Sequence, residues 1–464
     1  MTPGGASGSS VAHDLAEFVL DDRRSRIADE SASQIENAFL DQLGCQIIGS
    51  TLPWTAPSYE LARTVRGEPG CTVVNRPARP AMQYAAFANA AFGHGAELDD
   101  YGVDSGTHSG SVVVPVALAV AEAVGSTGPE LFEAIGAGYD VGWVLGRAIR
   151  RPLHERGYHT HAVIGAFSAT ATAGKLLGLS PAQLAHAFGI AGSHASGTME
   201  YDQTGGEVKR AHSGIAALSG IHSALLAQAG LTGPSAIFEG RRGIFRVLAG
   251  VEDVDLTYEL YAGVRRNGLK QYPVTASQHS PISVLDRLIK SAGFEADDVV
   301  GIEVHADAAL VLHIGTIYEP EEVIQAQFSL PFSLAVRLLK GRNDIRDYTD
   351  PDTWHDAEVL ALAHKVRFRP DESLHGAKFT CTVTVELRDG RVVSGETHHA
   401  KGHCDDPLTP DEVRAKFHDL ADEIVSVERA DEIVRAVGAA REGGDARDLA
   451  SLLAEGPVRV GAEA

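Results

Sequence analysis

The sequence predicts a mainly α fold, a large all-helical domain with a smaller α+β domain inserted into it. Three observations carry this reading. Apolar residues recur at helical spacing from about Ala12 to Leu260. After Tyr272-Pro273 the pattern changes to alternating runs and hairpin signals. From Thr409 onward it is helical again. The boundaries follow as 1–267 for the helical domain, 268–402 for the α+β domain and 403–464 for the returning helices. The junctions near Asn267 and Gly402 are hinge candidates. A length of 464 residues suits two or three domains.

The elements can be justified in turn. Ile35, Phe39, Leu40 and Leu43 form a helical stripe, and Val112–Val124 is small and apolar enough for a helix buried on most sides. Thr127-Gly128-Pro129-Glu130 is a capping box with proline in the first turn. Ser180-Pro181 opens a helix in the same way, and Gly178 closes the one before it. In the second module, Val299–His305 alternates like a strand, and Lys365–Phe368 is a short one. Ser329–Leu339 reads as a helix. Lys378–Leu387 and Arg391–His398 flank Asp389-Gly390, a hairpin turn signal. Thr409-Pro410-Asp411-Glu412 caps the first returning helix.

Composition narrows the function. Lys plus Arg number 40 and Asp plus Glu 62, a formal charge of −22. That argues against nucleic-acid and anionic-membrane partners, which need a basic footprint. The four cysteines are dispersed and form no CxxC pair, which argues against a disulfide framework and a cysteine zinc site of ordinary spacing. No charged and apolar leader is visible, and no apolar run reaches the ~18 residues of a membrane span. A cytoplasmic enzyme is the expectation.

Four segments carry candidate chemistry. The first is His94 to Tyr101, with Glu97, Asp99 and Asp100, followed by Thr107-His108-Ser109-Gly110. Carboxylates this close repel unless a cation, a donor or a proton separates them. The second is Gly157-Tyr158-His159-Thr160-His161. On one helix these histidines stand about 200° apart, a poor metal pair. The third runs from Gly205-Gly206 to Lys209, Arg210 and His212, a possible anion cradle near a helix start. The fourth joins Tyr272-Pro273 to His279. Each has a plain alternative: a solvated helix end, a core histidine or a charged loop. No Walker A loop, dinucleotide fingerprint or nucleophile elbow occurs.

Taken in order, these segments resemble the MmgE/PrpD family, which includes 2-methylcitrate dehydratase, cis-aconitate decarboxylase and iminodisuccinate epimerase. The matching residues are Asp99-Asp100, His108, Gly157-Tyr158-His159-Thr160 and Lys175-Leu176-Leu177-Gly178-Leu179. They continue with Ala191-Gly192-Ser193, Ala195-Ser196-Gly197, Lys209 with His212 and Gly214, Thr232-Gly233-Pro234, Glu239-Gly240, Tyr272-Pro273 and His279. The resemblance implies a helical domain plus an α+β lid, a homodimer, a site in the cleft between domains, and no metal or other cofactor. It implies catalytic roles for His159, Lys209, His108 and His279. Asp99, Asp100, Tyr101, Arg210, His212 and Tyr272 become substrate-binding candidates, with His161 in support. His94 keeps a structural reading.

The chemistry expected is proton abstraction next to a carboxylate of a small di- or tricarboxylate, by a dehydratase-type lyase. An epimerase or decarboxylase on the same scaffold is the alternative. A metal-dependent hydrolase using His159, His161 and the Asp99/Asp100 pair ranks lower. The sequence departs from the family at His108-Ser109, where His-Pro is usual, at Tyr101, at Val274-Thr275, and at Phe332, where some decarboxylases carry tyrosine. These changes remodel the pocket.

Overall fold

In the computed structural model, which describes residues 9–454, the chain forms two compact units. One runs to Gly268 and resumes at Thr409; the other is Leu269–Leu408. The fold is mainly α with a smaller α+β part. The chain leaves the second unit at Leu408 rather than at Gly402. The segment after Gly402 stays with that unit: Gly402 O accepts a hydrogen bond from Leu269 N (2.8 Å), and His403 packs edge-on to Phe379.

In the first unit the buried helices Met82–Gly95, Ser109–Val124, Thr160–Leu176 and Val208–Gln228 pack on one another. Small residues permit this closeness. Val208–Gln228 crosses Met82–Gly95 at Gly214, where a Cβ would stand 2.6 Å from Phe87 O. Capping boxes open Gly128–Glu155, Pro181–Ala191 and Pro410–Ala421 at Thr127, Ser180 and Thr409, where the sequence signals them. A short antiparallel ladder pairs β1 (Tyr101–Gly102) with β2 (Asn267–Gly268).

The returning helix Pro410–Ala421 reaches the loop that precedes Asp99. Lys416 Nζ lies 2.6 Å from Asp41 Oδ1 and 2.8 Å from Leu98 O. Asp41 belongs to the buried helix Asp29–Gly49. Breaking a buried pair of this kind costs about 3–5 kcal/mol. Lys416→Met is therefore expected to lower unfolding free energy by that amount in denaturant titrations. A loss under about 1 kcal/mol, the level of an exposed ion pair, would show the contact to be incidental.

The second unit contains one four-stranded sheet, ordered β4–β3–β5–β6, from β3 (Val299–Asp307), β4 (Val366–Asp371), β5 (Cys381–Leu387) and β6 (Val392–Thr397). β3 is parallel to β4 and antiparallel to β5, with Val304 opposite Val383; β6 completes the hairpin across Gly390, whose φ is +87°. Cys381, Val383, Val385 and Leu387 alternate inward. Helices His279–Ala292 and Leu330–Lys340 supply Ile282, Leu285, Leu334 and Val336 to the same core. Phe332 belongs to this core as well. It is fully buried with its edge toward Tyr348, so it serves as packing.

Candidate active site

Each of the three clustered carboxylates has its own counter-group within the first unit. Glu97 forms a buried ion pair with Lys209. Asp99 Oδ2 accepts from His94 Nδ1 at 2.6 Å. Asp100 accepts from Gly110 N, from Tyr139 Oη (2.7 Å) and from Asn267 Nδ2 (2.8 Å). Glu97 lies at φ +58°, in the left-handed region that a β-carbon disfavours.

Five histidine rings gather beside these acids. His94 ends helix Met82–Gly95. Its ring lies 5.1 Å from that of His108, 5.2 Å from that of His161 and 6.3 Å from that of His159, centroid to centroid. His108 Nδ1 is 2.6 Å from the carbonyl of Asp100. A carbonyl only accepts, so Nδ1 carries a hydrogen and, in the neutral ring, Nε2 carries the lone pair. His161 Nδ1 accepts the backbone N–H of His108 (3.2 Å), which places its proton on Nε2, toward Ser213 Oγ at 2.7 Å. That ring is a neutral pillar of fixed tautomer.

His159 and His212 meet Nδ1 to Nδ1 at 2.9 Å. One must donate and the other accept. The donor ring then keeps a lone pair on Nε2, and the acceptor ring keeps an N–H there. Together they offer one base and one proton donor. His159 sits in extended backbone just before helix Thr160–Leu176, whereas His161 lies in its first turn. The 200° separation expected within a helix therefore does not apply, and the two rings approach to 5.6 Å. Gly197 O holds His159 N–H at 2.9 Å. Gly197 is at φ +134°, and a Cβ there would stand 2.5 Å from Ala162 Cβ. A larger residue would press on Ala162 in the first turn of that helix. The ring of Tyr201 stands edge-on to the imidazoles of His159 and His212.

Burial dominates the electrostatics. It drives His159 and His161 well below the usual imidazole value, with neighbouring histidines adding to the effect and Lys209 adding further at His159. Burial, His94 and Lys209 bring His212 down to about 4. All three are neutral near pH 7. Asp100 moves the other way, up to about 7, through burial and the charge of Asp99.

These shifts set a stability prediction. A depressed folded-state value stabilises the protein above the unfolded value of 6.5, and that contribution is lost as pH falls toward the folded value. For His212 the window is pH 6.5 to about 4, worth about 3 kcal/mol. Asp100 has the opposite sign, losing its contribution as pH rises through about 7. Chemical denaturation from pH 7 to 4.5 is expected to show falling stability, with a shallower fall in His212→Gln. An unchanged slope in that variant would contradict the assignment.

The candidates predicted from sequence divide by position. His108, His159, Lys209, His212 and Asp99 come together in the first unit, with His161. Asp100 lies there too, but its oxygens clamp Gly110, Tyr139 and Asn267. Arg210 bonds Gly95 O and stacks over Trp54 at 4.7 Å. Tyr101 pairs with Gly268, where a Cβ would meet its ring at 2.5 Å. His279 and Tyr272 belong to the second unit, ring centroids 5.1 Å apart, with His279 opening helix His279–Ala292. Sequence reasoning missed Glu97 as the partner of Lys209 and took His94 as structural. His94 is fully buried within the cluster, and its Nε2 has no hydrogen-bond partner. It also missed Lys270, fully buried two residues before Tyr272. The signal available in the sequence was a lysine two residues before Tyr272, on the segment that carries His279.

The cis-aconitate decarboxylase-like protein oryM of Aspergillus oryzae is 27% identical over 96% of this chain and 97% of its own length. Cis-aconitate decarboxylase of Aspergillus terreus is 26% identical, covering 92% and 91%. The human cis-aconitate decarboxylase is 25% identical, covering 97% and 95%. The chain matches the MmgE/PrpD N-terminal domain over residues 13–257 and the MmgE/PrpD C-terminal domain over residues 272–439, and it therefore belongs to the MmgE/PrpD family of enzymes.

Proposed function

We propose that this enzyme is a cofactor-independent lyase acting on a small di- or tricarboxylate, with decarboxylation of an unsaturated tricarboxylate such as cis-aconitate as its first candidate reaction. The observation that carries the reading is the Nδ1–Nδ1 contact between neutral His159 and His212 beside the buried Lys209. It supplies a lone pair and a proton donor without an ion. The names of the full-length relatives favour decarboxylation over elimination.

In this reading, Lys209 and His108 bind substrate carboxylates. Loss of carbon dioxide breaks the C–C bond to one carboxylate, and the electron pair passes into the conjugated system toward another. Cationic and N–H groups stabilise that charge as it develops. The imidazole N–H of the His159–His212 pair then protonates carbon, and water restores the proton. In the second reaction, elimination, the lone pair takes the proton next to a carboxylate, the N–H protonates the departing hydroxyl, and water leaves. His94, hydrogen-bonded to Asp99, holds its proton on Nδ1 and presents Nε2 as a base.

The test is a panel of cis-aconitate, citrate, methylcitrate and iminodisuccinate followed by proton NMR in deuterated water. Decarboxylation gives a product with one deuterium at the protonated carbon. Elimination and epimerisation have their own signatures in the same spectra. Turnover abolished by a chelator and restored by zinc or manganese, in protein whose unfolding temperature the chelator leaves unchanged, would instead support the hydrolase-type metal site. Absence of both turnover and exchange across the panel would overturn the lyase reading. The homodimer that the resemblance implies belongs to this proposal and is checked by light scattering.

A further inference from the structure

A second group of metal-ligating side chains lies in the second unit, outside the histidine cluster. The run His398-His399-Ala400-Lys401-Gly402-His403-Cys404-Asp405-Asp406 follows β6. The rings of His399 and His403 stack, with centroids 4.9 Å apart and planes inclined by 15°. His403 Nδ1 stands 3.5 Å from Asp405 Oδ2 and 3.8 Å from Cys404 Sγ. One ligand atom each from His399, His403 and Asp405 can be chosen so that all three lie within 4.8 Å of one another.

We propose that His399, His403 and Asp405, with water as the fourth ligand, form a site for a borderline divalent transition metal, zinc above all. Around tetrahedral zinc, with bonds of about 2.0–2.3 Å, neighbouring ligand atoms are about 3.3–3.6 Å apart. The separation of His403 from Asp405 is already close to that. The other ligand-atom separations, all within 4.8 Å, need a side-chain adjustment to reach it. Two imidazoles and a carboxylate suit zinc, cobalt(II) or nickel(II), and do not suit magnesium or calcium, which take oxygen ligands.

The backbone holds this arrangement in advance. Gly402, at φ +93°, turns the chain, and Gly402 N donates to Asp406 O at 2.8 Å. Thr397 Oγ1 fixes the start of the run by donating to His399 O. His403 is buried, its ring edge-on to Phe379 at 5.1 Å, and its Nδ1 accepts the N–H of Asp405 at 3.2 Å. A metal on Nδ1 replaces that long bond. The one ammonium on the run, Lys401, faces Asp406 at 3.3 Å. Since Leu269 N donates to Gly402 O, the site lies where the chain enters and leaves this unit. A bound ion would tie the end of β6 to both segments.

The test uses the full chain, reduced and stripped of metal, titrated with cobalt(II). One equivalent is expected to give the visible bands of tetrahedral cobalt. His399→Ala and Asp405→Asn should lose tight binding and those bands. His94→Gln, altered in the other cluster, should keep them. Zinc should raise the unfolding temperature of the unaltered protein but not that of His399→Ala. No tetrahedral band at saturating cobalt, or a band that survives in either second-unit variant, overturns the site. So does binding lost in His94→Gln and kept in His399→Ala. These spectra do not depend on the substrate or on turnover, so a failed lyase assay leaves the result readable.

Discussion

Replacing Lys209 by methionine should do two separable things. It should lower kcat by about a hundred- to a thousand-fold, the usual effect of removing a donor that meets developing charge. It should also lower stability by about 3–5 kcal/mol, because Glu97 loses the ammonium that faces it in a buried setting. The double variant Glu97→Gln with Lys209→Met separates the two effects. Neutralising both partners should recover most of the stability, since replacing a whole buried pair is often close to neutral. It should recover none of the turnover. Unfolding curves and steady-state kinetics on the same preparations read both quantities. A Lys209→Met protein with near-normal kcat would remove Lys209 from the chemistry. A double variant as unstable as the single one would show that the Glu97–Lys209 pair is not what the stability loss reports.

The residues that could be read from sequence are those whose local chemistry acts alone. A capping box satisfies backbone donors within four residues, so Thr127, Ser180 and Thr409 mark helix starts without help from the fold. Asp389-Gly390 marks its hairpin for the same reason, since the left-handed conformation needed there is local. The site is different, because it depends on contacts distant in sequence. Glu97 and Lys209 are 112 positions apart, and nothing near Glu97 signals its left-handed backbone. His94 sits in an apolar helix, where a histidine reads as core. Its role emerges only when the loop folds Asp99 back onto it. Asp100 and Arg210 carry charges that look ready for substrate, yet the fold uses both to hold backbone and aromatic groups. The family pattern brought His108, His159, Lys209 and His212 into one list, but could not tell that two of them would share a hydrogen bond.

That shared bond makes the strongest prediction about mechanism. If His159 and His212 act as one unit, each imidazole sets the tautomer of the other. Removing either partner leaves the survivor with no defined base and donor positions. His159→Ala and His212→Ala should then each reduce kcat by about 10²–10⁴-fold, the range for general acid–base groups. The double variant should fall little below the worse single one, because coupled groups do not add. Independent roles would instead multiply the two losses. The pH profile adds a second reading. In the unaltered protein the acid limb should lie well below pH 6.5, since burial and the neighbouring charges hold His159 down and bring His212 to about 4. His212→Ala removes a neighbour that depresses the proton affinity of His159, so its acid limb should move up in pH. Losses that multiply, together with an unmoved acid limb, would mean that the Nδ1–Nδ1 contact is packing and that the proton moves elsewhere in the cluster, with His94 and His108 the next nitrogens to test.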